Sequence, residues 1–280
     1  MRDTQTKTKT TSKGRSGRVR AGVQLVMLVL FPATFYYFSP AVSAMGAAEG
    51  VVTGSLLLFG LLFATSFIIG RLFCAWICPG GAVGDFAARA RPRRLRHRRV
   101  HWIKYLVWTP WLVLIIYLFV QAGGANRVEV GYNTVAGFSI HSLNELLAYL
   151  IVITVFVTLS LTVGKRASCH TICWMSPFMI LGRSAGNTLR MPALRLQADK
   201  EKCIQCGKCD PGCPMSLNVQ RMAERQDMDN TDCILCGECV STCPRSVISW
   251  SFRVPQSGGA VKEPDRQTGW WRAGKRNKTS

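Results

Sequence analysis

The 280 residues carry 35 Lys and Arg against 15 Asp and Glu, a net charge of +20, yet 48% are apolar and only 18% are charged. That balance suits a polytopic membrane protein with soluble appendages better than a soluble globule. The basic residues sit beside apolar runs, with no helix–turn–helix or RNA-binding signature. They therefore argue for helix orientation and anionic lipid headgroups, and against a nucleic-acid partner.

Residues 1–20 hold seven Lys and Arg against one acid and are rich in Thr, which predicts a disordered basic N-terminus. Four runs without a charged side chain follow, at 21–48, 51–70, 105–126 and 146–164. Each is close to the ~20 residues of helix that cross a bilayer, so the pattern predicts four transmembrane helices within a membrane domain at 21–190. Glu49 alone separates the first two. Pro32 and Pro40 should kink or end the first run. Val42-Ser43-Ala44 resembles a signal-peptide cleavage site, but 28 uncharged residues far exceed an h-region of ~7–15, and a span is the better expectation. Trp102, Trp108, Trp111, Tyr36 and Tyr37 are the amphipathic rings expected at membrane interfaces.

Between the second and third runs, the stretch from Arg71 to Lys104 carries nine cations against Asp85 alone, and residues 165–195 add five more. The connections after the first and third runs carry at most Arg127. The positive-inside rule then places both termini in the cytoplasm, with the chain in the inner membrane. The Arg91–Arg99 segment, with His97 and His101, reads as a solvated, lipid-facing stop or as a site for a quinone or cardiolipin headgroup. His141 and Glu145, one helical turn apart, could take protons from a quinol or simply begin an exposed helix. The runs contain no Asp, Glu, Lys, Arg or His, which argues against His-ligated b-type haem and against a proton pump.

The twelve cysteines form two sets. Cys74-Ala-Trp-Ile-Cys78-Pro79 and Cys169-His-Thr-Ile-Cys173-Trp174 each lie just past a run, 95 residues apart, and each follows a glycine and a cation (Gly70-Arg71, Gly164-Lys165). They mark an internal duplication. Residues four apart share a helix face, so the two pairs could converge. Three readings stay open: a metal or extra cluster aided by His170, redox-active thiols, or small packing cysteines.

The second set is Cys203, Cys206, Cys209 and Cys213-Pro214, then Cys233, Cys236, Cys239 and Cys243-Pro244, a repeat of C-x-x-C-x-x-C-x-x-x-C-P at a period of 30. This is the dicluster ferredoxin pattern, in which the fourth cysteine of each half ligates the other cluster. It predicts one [4Fe–4S] cluster on Cys203, Cys206, Cys209 and Cys243 and a second on Cys233, Cys236, Cys239 and Cys213. Zinc sites use paired C-x-x-C units instead, and disulfides are disfavoured in a reducing cytoplasm. Gly207 and Gly237 should let backbone amides turn toward the clusters. The ferredoxin module spans 195–250, is small and α+β, and is mildly acidic over 199–250, with six basic and eight acidic residues. A flexible basic tail, 251–280, includes Trp270 and Trp271.

With four runs, Leu72-Phe73-Cys74-Ala75-Trp76-Ile77-Cys78-Pro79, the second cysteine pair and the two ferredoxin repeats, the chain resembles the NapH/MauN group of ferredoxin-type membrane proteins over roughly residues 20–250. The resemblance implies that the spans meet the quinone pool and that the clusters pass electrons to a respiratory or periplasmic enzyme system or a partner subunit. Trp174 departs from the C-x-x-x-C-P often found in the family, with proline delayed to Pro177, and the resemblance leaves the nitrate-reductase subunit and the methylamine-utilisation protein both open. The expected function is membrane-bound electron transfer with two [4Fe–4S] clusters and with quinone as a further candidate cofactor. The alternative is an accessory protein that supplies electrons for maturing a metalloenzyme or senses redox state.

Overall fold

The computed structural model describes residues 15–95, 102–135 and 138–255. The expectations for residues 1–14, for His97 and His101, and for the tail with Trp270 and Trp271 lie outside the described residues.

The first apolar run is a broken helix. Helix α1 (Arg15–Thr34) accommodates Pro32, a 3-10 turn covers Phe35–Phe38, and α2 (Pro40–Ala48) restarts with Pro40 in its first turn. Ser39 caps the restart, its hydroxyl accepting from the Val42 amide at 3.4 Å. Breaking a helix inside an apolar layer orphans carbonyls, and later segments of the chain satisfy them. The Ser139 hydroxyl donates to the Ala33 carbonyl (2.7 Å), the Trp174 indole to Phe38 (2.8 Å) and the Trp111 indole to Pro40 (3.0 Å). Trp102 is an exposed ring, whereas Trp108 and Trp111 are interior, their rings edge-on to Phe178 at 5.2 and 6.1 Å. The latter two therefore pack the bundle.

The run at 51–70 is shorter as a helix than expected. Its first residues form strand β1 (Val51–Thr53), which pairs in parallel with β2 (Arg127–Glu129) in the register Val51↔Arg127. The remaining helix α3 (Gly54–Ile69) has 16 residues, or about 24 Å at 1.5 Å per residue, short of the ~30 Å hydrocarbon core. Among the described residues, three segments are long and apolar enough to cross a membrane: Ser16–Ala48, Ile103–Gln121 (α6) and Leu143–Thr162 (α7). Their outward faces expose Val29, Leu106, Val120 and Ile151 broadly, an apolar belt that water would penalise. Helix α7 starts with a capping box between Ser142 and Glu145, and His141 Nδ1 lies 3.1 Å from the same carboxylate. The His141–Glu145 pair is a helix start.

After α3 come α4 (Leu72–Trp76) and α5 (Pro79–Ala90); after α7 come α8 (Ala167–Thr171) and α9 (Met175–Thr188). Each half is thus a long helix, a one-turn helix and a medium helix, and the halves exchange partners: α3 packs on α9, and α7 on α5. Small residues allow the close approach. A Cβ on Gly182 would stand 1.9 Å from Ser66 Oγ and 2.6 Å from the Phe63 carbonyl, and one on Gly80 would stand 2.6 Å from the Phe156 ring.

The C-terminal module is closed by strands β3 (Ala193–Ala198) and β4 (Ile248–Arg253), antiparallel from Ala193↔Arg253 to Ala198↔Ile248. Between them lie the short helices α10 (Cys209–Gly212), α11 (Val219–Glu224) and α12 (Glu238–Thr242). The whole is a mostly helical protein with a small α+β module.

The glycine seam gives a direct test. Gly182→Ala should cost about 1–3 kcal/mol through overpacking and lower the melting temperature in detergent. Gly60→Ala, with nothing within 4 Å of the added Cβ, should be neutral or mildly stabilising.

Candidate functional site

The two cysteine loops of the C-terminal module share one backbone. Gln205 and Leu235 have φ of 54° and 53°, Gly207 and Gly237 of 68° and 76°, and Ser216 and Ser246 of 56° and 49°. The left-handed positions recur at the 30-residue period, four of the six on residues that pay about 1–2 kcal/mol for them. Such conformations turn successive amides inward. The Val247 amide donates to Cys243 Sγ at 3.4 Å, and the Leu217 amide serves Cys213 at the equivalent offset. The amides of Leu235 and Glu238 likewise point at Cys233 and Cys236.

These loops enclose two small cavities. One is walled by Cys203, Cys206, Cys209 and Cys243; the other by Cys213, Cys233, Cys236 and Cys239. Each takes three cysteines from one half and the proline-flanked fourth from the other, because α10 lies against α12 and brings the halves together. Burial pushes the Cys209 and Cys213 thiols up to about 11 and those of Cys233 and Cys236 to about 12, so without a bound cation they stay protonated. Four sulfurs around a cavity, amides aimed at them and apolar walls such as Met215, Val219 and Ile234 fit an iron–sulfur cluster. Among the described residues, no three His, Cys, Asp or Glu side chains converge on a single ion. A cube of four irons sets its thiolates farther apart than one zinc ion does, at Zn–S ≈ 2.3 Å.

The second cavity adjoins the apolar core of the helical bundle, and the first is the more open. Cys206 is exposed, whereas Cys213 and Cys239 are buried. Asp232, beside Cys233, pairs with Arg71 (3.5 Å) and Lys104 (3.3 Å). Glu238, beside Cys239, takes Arg20 of α1 at 2.6 Å. Arg183 and Arg195 hold Asp229, and Lys165 donates to the Pro211 carbonyl. Arg94 donates to the carbonyls of Ser216 and Leu217, so this part of the Arg91–Arg99 segment clamps the module and is not a free lipid-facing stop. The Gly70 backbone meets the Leu235 side chain, and one apolar core runs from Phe59 and Leu62 through Cys74 and Cys78 to Cys213 and Cys239.

The membrane-proximal cysteines do not share a helix within each pair. Cys74 lies in α4, but Cys78 precedes Pro79 and is extended (φ −60°, ψ 118°), as residues before proline are, and caps α5. Cys169 lies in α8 and Cys173 beyond its end. The duplication is nonetheless faithful. The Cys74 amide donates to Arg71, and those of Ile77 and Cys78 both donate to Phe73; 95 residues on, Cys169 donates to Arg166, and Ile172 and Cys173 to Ser168. The counterpart of Arg71 is accordingly Arg166, not Lys165, because one extra residue follows Gly164. His170 is buried on α8.

Asp85 joins these parts. Its carboxylate receives the Arg166 guanidinium twice at 2.7 Å, Arg20 at 3.0 Å and the Gln24 amide at 2.9 Å. Arg166 also donates to the Cys74 carbonyl at 2.7 Å. The neighbouring Arg166 and Arg20 cations hold Asp85 down at about 2 against the opposing effect of burial, the largest single influence on it. Sequence inspection could flag Asp85 only as a lone acid among nine cations. Its partners come from two elements far apart in the chain, α1 and the start of α8.

Above the cysteines opens an apolar cavity of about 470 Å³, walled by Phe31, Phe35, Phe38, Phe156 and Trp174 at the helix break, with Cys78, Cys169 and Cys173 in its lining.

Two family models match the chain: a 4Fe-4S binding domain over residues 51–99, which includes Cys74 and Cys78, and a 4Fe-4S dicluster domain over residues 195–244, which includes all eight loop cysteines. The chain therefore carries two 4Fe–4S ferredoxin-type segments. Among curated proteins it is similar to the putative electron transport protein YccM of Escherichia coli, at 24% identity over 196 residues, 64% of this chain and 51% of that protein. It is also similar to two uncharacterized proteins of Methanocaldococcus jannaschii. MJ0749 is 22% identical, with 58% of each chain covered, and MJ0750 is 25% identical, with 60% of this chain and 68% of that protein covered. The chain spans about half the length of YccM and somewhat more of the other two. No solved structure matches it significantly.

Asp85→Asn should leave Arg166 buried beside an uncharged amide and destabilise the fold by about 3–5 kcal/mol. Asp199→Asn, at an exposed pair with Lys202, should leave the melting temperature unchanged. Equal effects of the two substitutions would refute the assignment of Asp85 as the buried tie.

Proposed function

We propose that the chain is a membrane-anchored electron carrier of the NapH/MauN kind. Cys203, Cys206, Cys209 and Cys243 hold one [4Fe–4S] cluster, and Cys213, Cys233, Cys236 and Cys239 hold the other. The observation that carries this is the pair of cavities, each walled by a crossed set of four cysteines, one buried against the membrane domain and the other open through Cys206. Such clusters supply one-electron transfer and no bond chemistry. The match to a dicluster family model and the name of the Escherichia coli relative support the reading.

The chain's own residues prepare the site. Inward amides on Cys213, Cys233, Cys236 and Cys243 favour the charged form of the sulfurs, and Met215, Val219 and Ile234 exclude water. Arg20, Arg71 and Lys104 seat the module through Glu238 and Asp232. On the membrane side the partner is a quinone or quinol. A cavity of this size, nearly all apolar and ringed by aromatic side chains at the level of the helix break, suits a flat redox carrier with an apolar tail. Helix α3 completes a fourth crossing with its neighbours, and the cation distribution sets the module on the cytoplasmic face of an inner membrane. The electrons leave to a respiratory or periplasmic redox system.

Two measurements test this. Cys206→Ser should remove one cluster's worth of iron and its share of visible absorption, and zinc in place of iron in anaerobically prepared wild-type protein would overturn the cluster assignment. In lipid vesicles, quinol should reduce the clusters. Val152→Trp, which fills the cavity, should slow that reduction by about tenfold or more, equivalent to ~1.4 kcal/mol, while leaving reduction by dithionite intact. Clusters that dithionite reduces but quinol does not would favour the accessory role.

A further inference from the structure

The membrane-proximal cysteines form a set of their own, outside both cavities of the module. Cys78, Cys169 and Cys173 line the floor of the aromatic cavity. Cys74 stands behind them, its Sγ 3.4 Å from Met179 Sδ. The four come in equal numbers from the two halves of an internal duplication whose backbone hydrogen bonds coincide at the 95-residue offset. Each thiol also lies within electrostatic reach of the others: Cys74 of Cys78, Cys169 and Cys173, and Cys78 of both Cys169 and Cys173.

The charges around them are unbalanced. Arg166 is matched by Asp85, and Arg20 by Asp85 and Glu238. Arg71, 1% exposed, instead shares Asp232 with buried Lys104, at the long distance of 3.5 Å. Its Nη2 donates to Ser176 at 2.8 Å, and its Nε is buried with no hydrogen-bond partner. The same guanidinium interacts with Cys74, Cys169 and Cys173. A buried cation with an unused donor, set beside sulfurs from both halves, favours a negatively charged group among them. Cysteine sulfurs supply such charge when they bind metal.

We propose that Cys74, Cys78, Cys169 and Cys173 together hold a third iron–sulfur cluster, two ligands from each half, with Arg71 and Arg166 compensating its charge. The family model over residues 51–99 carries the first pair only. The structure adds the second pair and the two arginines. On assembly, four thiols lose their protons to solvent and four Fe–S bonds form to a [4Fe–4S] core of charge 2+, leaving a dianionic centre beside the two guanidinium groups. The site lies between the aromatic cavity and the buried cavity of the module, at the head of the continuous apolar core. The proposal does not depend on quinone being the membrane partner.

The test is iron and acid-labile sulfide per chain in anaerobically purified full-length protein in lipid. Three clusters require about twelve irons, two about eight. The double variant Cys78→Ser, Cys173→Ser should fall by about a third while keeping the paramagnetic spectrum of the two module clusters on reduction. Wild-type protein at about eight irons overturns the proposal, as does a variant that loses no iron. Should the double variant lose every cluster through misfolding, the wild-type count alone decides. Failure of the module assignment is distinguishable, since it removes iron that this variant retains.

Discussion

A single buried carboxylate holds the parts of this protein in register. Asp85 receives Arg20 from the first helix, Arg166 from the second half of the duplication and the amide of Gln24, and Arg166 continues to the carbonyl of Cys74. Burying one charge costs several kcal/mol, and a buried pair recovers that cost only with good geometry and with its remaining donors satisfied. Here the geometry is met by three side chains from two elements at once. Arg20 then reaches Glu238 in the module, so the same network docks the cysteine loops. Removing Asp85 would leave Arg166 buried without its carboxylate and Arg20 with Glu238 alone.

The duplication explains why the network takes this form. Each half ends its long helix in a one-turn helix and then sends a medium helix onto the other half's long helix. Arg71 reaches Ser176 near the start of α9, and Arg166 packs against Gly81 near the start of α5; these positions are themselves 95 residues apart. Exchanged partners bring two sequence-distant cysteine pairs to one level of the bundle, which neither half could do alone. Trp174 stands where the first half has Pro79, and its indole closes the open Phe38 carbonyl of the broken helix. The departure from proline therefore has a structural use: the second half supplies a donor where the first half supplies a helix start.

Much of the module was legible because its information is local. The 30-residue period names all eight cysteines, and the backbone follows that period down to the left-handed φ values at Gln205 and Leu235. The apolar runs likewise predict helices, although β1 shortens the second one by pairing with a strand 76 positions away, which no local pattern encodes. The C-x-x-x-C pairs were harder to read. Period alone suggested one continuous helix face, but Pro79 forces Cys78 out of the helix, and in the second pair the helix ends without a proline. Trp108 and Trp111 read as interface rings because composition cannot tell a ring at a lipid boundary from one packed on Phe178. The Asp85 network was illegible for the same reason: it exists only once α1, α5 and α8 have met.

The docking charges also give the two module cavities different electrostatic surroundings. Cys236 lies within reach of the Arg20 and Arg166 cations, and Cys233 within reach of Arg71, whereas the other cavity opens to solvent through Cys206. Cations held in low dielectric stabilise added negative charge more strongly than water-screened ones. Charge, hydrogen bonding and solvent exposure are also the factors that set the potential of an iron–sulfur site. On the proposed assignment, an electron on the inner cluster would therefore be better stabilised than one on the exposed cluster. The same cations bind the module more firmly when that inner cavity is more negative. On the proposed cluster assignment, the charge of the inner cluster would thus bear on the seating of the module through Arg20, Arg71 and Arg166.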